Sequence, residues 1–206
     1  MTRVVIAART RMRHDHICVG AHALDGHFKS RFRSMRLLDK YGDHWRIDSP
    51  FHVGDIWEIR YDEKVSARPP HVEDVFVMEY RPIGREENLK DLVLRYRRPW
   101  SGGPDALFDR TLRATEHGGG YIPKKGPIPR CSTGYWLPDH DLVASRFDNM
   151  RFLWTGDGPI KRLKWVGDRQ PPARIEAGSL VRVSLSRLYG NEQTPEGYYV
   201  QLSGVL

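Results

Sequence analysis

Along most of the chain, apolar and polar residues alternate over short runs, the period-two pattern of half-buried strands. In RVVIAART, Val4, Ile6 and Ala8 share one face of an opening strand. HICVGAHAL continues as a second, and Asp25, Gly26 and His27 supply a hairpin turn before a third. That third run, HFKSRFRSM, sets Phe28, Ser30, Phe32 and Ser34 against Lys29, Arg31, Arg33 and Met35, a cationic stripe above an apolar one. LLDKYGDHW reads as a short helix or a loop, closed by the turn-forming DSP at 48–50. HVEDVFVMEY, GYWLP, MRFLWTG and KRLKWVG are further strands, the last two ended by glycine. In these, Phe152 is in phase with Trp154 and Leu163 with Trp165, so Arg162 and Lys164 face the other way. If GYWLP is a strand, one of Tyr135 and Trp136 faces outward.

The period changes in the middle. REENLKDLVLRYRR carries Leu89, Leu92, Val93 and Tyr96 at helical spacing with Glu86 and Glu87 at its start, and Pro99 stops it. GPDALFDRTLRA predicts a second short helix with Asp105 as its cap. HGGGYIPKKGPIPRCSTG is too rich in glycine and proline for regular structure and reads as a loop.

One grammar occurs twice. In HVGDIWEIRY, Gly54 precedes Ile56, Trp57, Ile59 and Tyr61; in EAGSLVRVSL, Gly178 precedes Leu180, Val181, Val183 and Leu185 at the same offsets. Each strand is followed by a loop and a returning strand, with 23 positions from Gly54 to Val77 and 22 from Gly178 to Val200. Trp57 and Tyr61 are in phase with Ile59, which assigns them to packing, whereas Tyr199 is out of phase with Tyr198, Val200 and Leu202 and is the candidate exposed ring. Short strands at this spacing suggest a sandwich or a barrel and not a parallel α/β sheet; with the repeat, the reading is a mainly β protein made of two tandem small OB-like β-barrels joined by a short helical connector: residues 1–84, the connector 85–118, and residues 119–206.

The segments VVIAARTR with ICVGA, PPHVEDVFV, GYWLPDHDL, GSLVRVSLSR and YYVQLSG resemble bacterial dual OB-containing domain proteins, over essentially the whole chain. The resemblance implies a tandem OB-fold, and nucleic-acid binding or sensing in bacterial conflict or antiphage defence systems. It carries over no catalytic residue.

Composition sharpens this. Thirty-three Lys and Arg against 26 Asp and Glu give a net charge of +7, which favours a polyanionic partner. Two cysteines provide no disulfide framework and suit a reducing cytoplasm. No run approaches the ~20 apolar residues of a membrane span, so no membrane partner is expected.

Several constellations compete for a role. Arg9, Arg11, Arg13, Lys29, Arg31 and Arg33 form one candidate phosphate track, and Arg97, Arg98, Lys124, Lys125, Arg162 and Lys164 a second, with Tyr135 and Tyr199 as stacking rings. The alternative for such a stripe is an ordinary solvated sheet face. His14, His16 and Cys18 have ligand spacing but lack a fourth donor, and a polar strand face is preferred to a metal. EHGGGY lacks the Lys and Ser/Thr of a P-loop. KKGPIPR, with Lys124, Lys125 and Arg130, is either a basic flap over a ligand or a soluble loop. Glu73 and Asp74 are expected on opposite faces, and Asp139, His140 and Asp141 form a turn. No nucleophile or zinc-protease signature occurs. The expectation is a non-catalytic nucleic-acid-binding module, without cofactor or metal, contacting DNA or RNA mainly through phosphates. The alternatives are a protein-interaction module beside an enzyme, or nucleotide recognition between the barrels.

Overall fold

The computed structural model describes residues 1–25 and 32–206. The protein is mainly β, with 49% of the described residues in strands and 8% helical. It divides into two compact units, Met1–Tyr96 and Arg97–Leu206. The predicted hairpin turn at Gly26 and His27, and Phe28, Lys29, Ser30 and Arg31 of the predicted stripe, lie outside the described residues.

Unit 1 comprises β1 (Thr2–Arg11), β2 (His16–Ala23), β3 (Ser34–Leu38), the two-residue β4 (Trp45–Arg46), β5 (Asp55–Glu63), β6 (Asp74–Arg85) and helix α1 (Leu89–Tyr96). β1 pairs with both β2 and β5, β5 with β6, β6 with β3 and β3 with β2, which closes a five-stranded barrel. Among the described residues of this unit only β3–β6 is parallel. Val4, Ile6, Trp57 and Ile59, predicted to face inward, are buried in one core together with Val19, with Tyr61 packed on its margin. In α1, Leu89 and Val93 are buried one turn apart, and the Asn88 Oδ1 accepts the Asp91 amide at 3.4 Å, capping the helix.

Unit 2 contains β7 (Trp100–Gly102), a 3-10 turn (Pro104–Arg110), β8 (Arg113–Ala114), β9 (Gly120–Pro123), β10 (Thr133–Pro138), β11 (Leu142–Ala144), β12 (Arg151–Trp154), β13 (Arg162–Trp165), β14 (Arg174–Ile175), β15 (Val181–Leu185), β16 (Tyr189–Asn191) and β17 (Thr194–Val205). Its main sheet is a second, half-barrel curl running β11-β12-β13-β17-β15-β10. β10 and β11 lie either side of Asp139–Asp141; counted as one interrupted first strand, they give the same order as unit 1, first-second-third-fifth-fourth-first. Again only the third and fifth long strands, β13 and β17, pair in parallel among these.

The duplicated glycine grammar falls on equivalent places. Gly54 and Gly178 precede the fourth strand of each unit, and both have left-handed φ, +94° and +75°. The Gly54 amide donates to the Ile6 carbonyl at 2.9 Å and the Gly178 amide to the Pro138 carbonyl at 2.8 Å, joining fourth strand to first in each case. The glycines that end β12 and β13 also have a reason. A Cβ on Gly156 would lie 2.3 Å from the Trp154 ring, and one on Gly167 would lie 2.8 Å from Trp165. Each indole folds over the glycine two residues on.

Three local expectations change. β3 begins at Ser34, and Phe32 sits in a turn with φ +63°, so the alternation breaks there: Phe32, Met35 and Leu37 are all buried. Of the two readings of the 39–44 segment, short helix or loop, the structure has the loop. The 104–110 turn has Gly103 and not Asp105 at its cap and is kinked through Leu107–Asp109. Within the supposed glycine-rich loop, Gly120–Pro123 forms β9, pairing with β8 and β17; a Cβ at Gly120 would come within 2.9 Å of Val200, so glycine is what admits the close strand.

A Cβ at Gly54 would meet the Glu86 carbonyl oxygen at 3.2 Å, whereas Gly178 faces open space. Gly178→Ala is therefore expected to cost about 1 kcal/mol and Gly54→Ala about 2 kcal/mol, from left-handed backbone alone in the first case and backbone plus contact in the second. Urea unfolding midpoints of the two variants check the order; neutral substitutions at both would mean that the left-handed turn is not required.

Candidate nucleic-acid interface

The outward face of unit 2 is assembled by strand register. Ile122, Val200 and Leu202 point into the core, so Tyr121, Tyr199 and Gln201 point out. Tyr199 is directly opposite Tyr121, which is directly opposite Arg113. The Tyr121 and Tyr199 rings stack with centroids 5.6 Å apart and planes 21° apart, and Tyr189 approaches Tyr199 edge-on at 6.1 Å. Gly197 lies beneath: a Cβ there would be 2.7 Å from the Tyr121 ring. The Tyr199 hydroxyl donates to the Pro195 carbonyl at 2.6 Å, and burial, then the neighbouring Tyr121 and Tyr189, push its phenol up from the ordinary value. Tyr189 remains 50% exposed. The result is a three-tyrosine ledge in which Tyr121 and Tyr199 are half-buried and Tyr189 is exposed.

Cations run beside it. Across the sheet, Arg151 opposes Lys164, and Lys164 opposes Gln201. Arg162, exposed and in phase with Lys164, bridges to Gly119 at the mouth of the β8–β9 turn. Arg151 is held by Asp148 at 3.0 Å, while Arg113, Arg162 and Lys164 enter no ion pair among the described residues. Phe147, in the β11–β12 turn, is 98% exposed.

The predicted site residues distribute unevenly. Arg162, Lys164 and Tyr199 come together on this face as described. Lys124 and Lys125 are exposed, with Lys124 bound to Glu196 at 3.0 Å. Arg98 is exposed and Arg97 half-buried. Tyr135 is not an exposed ring: both it and Trp136 are buried, against the expectation that one faces out. Burial pushes the Tyr135 phenol up, with Arg182 and Arg97 drawing it back. Tyr135 is directly opposite the buried Arg182, so the outer side of β10 and β15 is itself an interior.

In unit 1, Arg9 is a structural strut. Its guanidinium is buried and donates to the carbonyls of Ile47 at 2.6 Å, Ser49 at 3.2 Å and Phe51. Arg11 and Arg13 are exposed at the end of β1 and in the next turn. Arg33 pairs with Glu63 at 2.8 Å and reaches the Tyr61 hydroxyl at 3.2 Å; Lys29 and Arg31 lie outside the described residues. Other cations here are matched across strands: Arg60 with Glu79, Arg81 with Glu58 and Arg85 with Asp55 are directly opposing pairs on β5 and β6. Arg36 gathers Asp74 at 2.5 Å, Glu73 at 3.8 Å and the His71 Nδ1 at 3.2 Å, and Lys64 reaches Asp74 at 3.3 Å. Glu73 and Asp74 thus meet one guanidinium, because Glu73 precedes β6 and is free of its alternation. His14 sits in the turn before β2, so it does not share a strand with His16 and Cys18, and no group of three His, Cys, Asp or Glu among the described residues is arranged to hold a metal. No helix among the described residues is long and apolar enough to cross a membrane.

The charge follows the same division. Residues 1–96 hold 17 basic and 15 acidic residues, net +2; residues 97–206 hold 16 and 11, net +5. Sequence reasoning missed Tyr121, Tyr189 and Arg113. The signal for Tyr121 was present, since Tyr121 and Ile122 alternate within GYIP, but the surrounding glycines and prolines masked it.

No family model, no curated protein and no solved structure matches this chain.

Removing the Arg9 head would leave three carbonyls without their donor in a buried site. Arg9→Ala is expected to destabilise unit 1 by about 3 kcal/mol, against less than about 0.5 kcal/mol for exposed Arg13→Ala. Denaturant unfolding of both variants measures the difference, and equal effects would contradict the strut.

Proposed function

We propose that the outward face of residues 97–206 binds single-stranded nucleic acid without catalysis, through a tyrosine ledge and an adjoining row of cations. The carrying observation is the stacked Tyr121–Tyr199 pair with Tyr189, lying in register with Arg113 and beside Arg162 and Lys164. Proteins that track a single strand combine these two elements: rings on which bases stack at ~1–3 kcal/mol each, and cations that neutralise phosphates. The five-strand order of both units supports the same reading, since OB-type barrels use the outer face of the second and third strands for oligonucleotides. In unit 2 those strands are β12 and β13, which carry Arg151, Arg162 and Lys164. In unit 1 the third strand, β3, carries Arg36 outward, but it is tied to Asp74 and Glu73. The proposed binding surface therefore shifts from the predicted first-unit stripe to the second unit. A role in bacterial defence, as the family resemblance implies, remains part of this proposal.

Fluorescence anisotropy with short single-stranded DNA and RNA at two ionic strengths tests it. Tyr199→Ala is expected to weaken binding roughly 5- to 100-fold. The double variant Arg162→Glu, Lys164→Glu is expected to flatten the log–log salt slope by about 1.4, at about 0.7 for each phosphate of a single strand that is no longer neutralised. Arg33→Glu, whose cation is already paired, serves as the control. If the Tyr199 and double variants bound like wild type while Arg33→Glu did not, the assignment to unit 2 would fail.

A further inference from the structure

Unit 2 also contains a cavity of about 260 Å³ that the tyrosine face does not use, walled by Trp100 and Phe108 and bordered by Asp109, Thr111 and the 128–131 segment. The turn that forms its wall is unusual. Phe108, Asp109 and Arg110 are three consecutive non-glycine residues with left-handed φ, +49°, +56° and +62°. Residues other than glycine visit this region singly, and clusters of such strain persist where the surroundings over-determine them, commonly at ligand sites. The fully buried Leu107 and Phe108 side chains anchor this turn.

The turn fixes Asp109 against Trp100. The Trp100 Nε1 donates to the Asp109 Oδ1 at 3.2 Å. The indole lies over Gly134, where a Cβ would be 2.2 Å from the ring, and against Phe108 at 4.8 Å between centroids. Ring and carboxylate are thereby held as one unit at the cavity wall. The Asp109 side chain is exposed. A carboxylate has about four acceptor positions and no donor, so after the indole it can still accept two parallel N–H groups.

Among the bases, guanine alone offers two adjacent donors, N1–H and the N2 amino group, to such a fork. Adenine and cytosine place a ring acceptor beside their amino group, and uracil flanks its N–H with two carbonyls; each would set a lone pair against the carboxylate. Arg130, which also borders the cavity, is a guanidinium suited to a phosphate. We propose that this cavity binds a guanine mononucleotide, with the base between the Trp100 indole and the loop, its N1–H and N2 edge on Asp109, and its phosphate on Arg130. The KKGPIPR segment is then the flap over this ligand. None of these residues belongs to the tyrosine face, so the two sites stand or fall independently.

Isothermal titration of the full chain with GMP, AMP, CMP, UMP and XMP tests it. Wild type is expected to bind GMP at least about 10-fold more tightly than the others. Asp109→Asn is expected to weaken GMP by about 10- to 100-fold and to shift preference to XMP, whose carbonyl in place of the amino group accepts from the new amide. Asparagine tolerates left-handed φ as aspartate does and still accepts the indole N–H, so the variant should melt at the wild-type temperature. Arg130→Gln should weaken GMP but not guanosine. Tyr199→Ala should leave GMP affinity unchanged, which separates this site from the strand-binding face. Absence of GMP binding by wild type, or an Asp109→Asn variant that weakens all five nucleotides alike, would overturn the assignment.

Discussion

Closure of the first strand against the fourth is the constraint on which the rest of each unit depends. A meander of three antiparallel strands has two open edges, and unpaired backbone there is costly or sticky. The fifth strand lies in parallel against the third, so the fourth must reach back to the first. Glycine makes that return possible: Gly54 and Gly178 take the left-handed turn and each gives its amide to the first strand. In unit 2 the first strand is broken at Asp139–Asp141, and a side chain compensates. The Asp141 carboxylate accepts the Ala177 amide at 2.8 Å and pairs with Arg174, tying the break to the residues just before Gly178. The Ala177 N–H first, and Arg174 after it, hold the Asp141 carboxyl below the usual carboxylate range.

Once the barrels are specified, the chemistry is decided by what stands on their outer positions. On β5 and β6 of unit 1, Arg60, Arg81 and Arg85 each meet a carboxylate directly opposite, which leaves little net field. The Arg36 cluster does the same at greater depth, where removing one member would strand a buried charge. Unit 2 uses its outer positions differently. Arg162 and Lys164 enter no ion pair among the described residues, and the net charge of unit 2 exceeds that of unit 1. Two units with one strand order thus carry different electrostatics, and a surplus read from the whole chain conceals which one holds it.

The architecture was legible because it rests on period two and on glycine. The Gly54 and Gly178 patterns, the inward Trp57, Phe152, Trp154 and Trp165, and the outward Arg162, Lys164 and Tyr199 all follow from alternation alone. Alternation fails wherever a residue's environment is set by something other than its own strand. Tyr135 faces away from the core of its sheet yet is buried beside Arg182. Arg9 is cationic yet faces three carbonyls contributed by residues about 40 positions away. Phe32 turns through positive φ and reverses the parity on which the predicted stripe rested. A sequence has no local mark for a long-range carbonyl or a neighbouring loop.

Glycine also explains how large rings come to be partly exposed without loss of order. A ring laid on a glycine buries one face against backbone, because no Cβ intervenes, and keeps its other face or edge available. Tyr121 over Gly197 and Trp100 over Gly134 are built this way, and both belong to surfaces proposed to bind a ligand. Trp154 over Gly156 and Trp165 over Gly167 use the same contact for the opposite end, because their remaining surface is enclosed by the core. The difference lies in distance along the chain. In the two core cases the glycine follows two residues after the ring, so the pair is set by one strand. In the two exposed cases it comes from another strand, 34 positions away for Trp100 and 76 for Tyr121, so the ring's place depends on sheet register. A functional ring of this kind is invisible to alternation, but it is recoverable from a cross-strand glycine once the strand order is known.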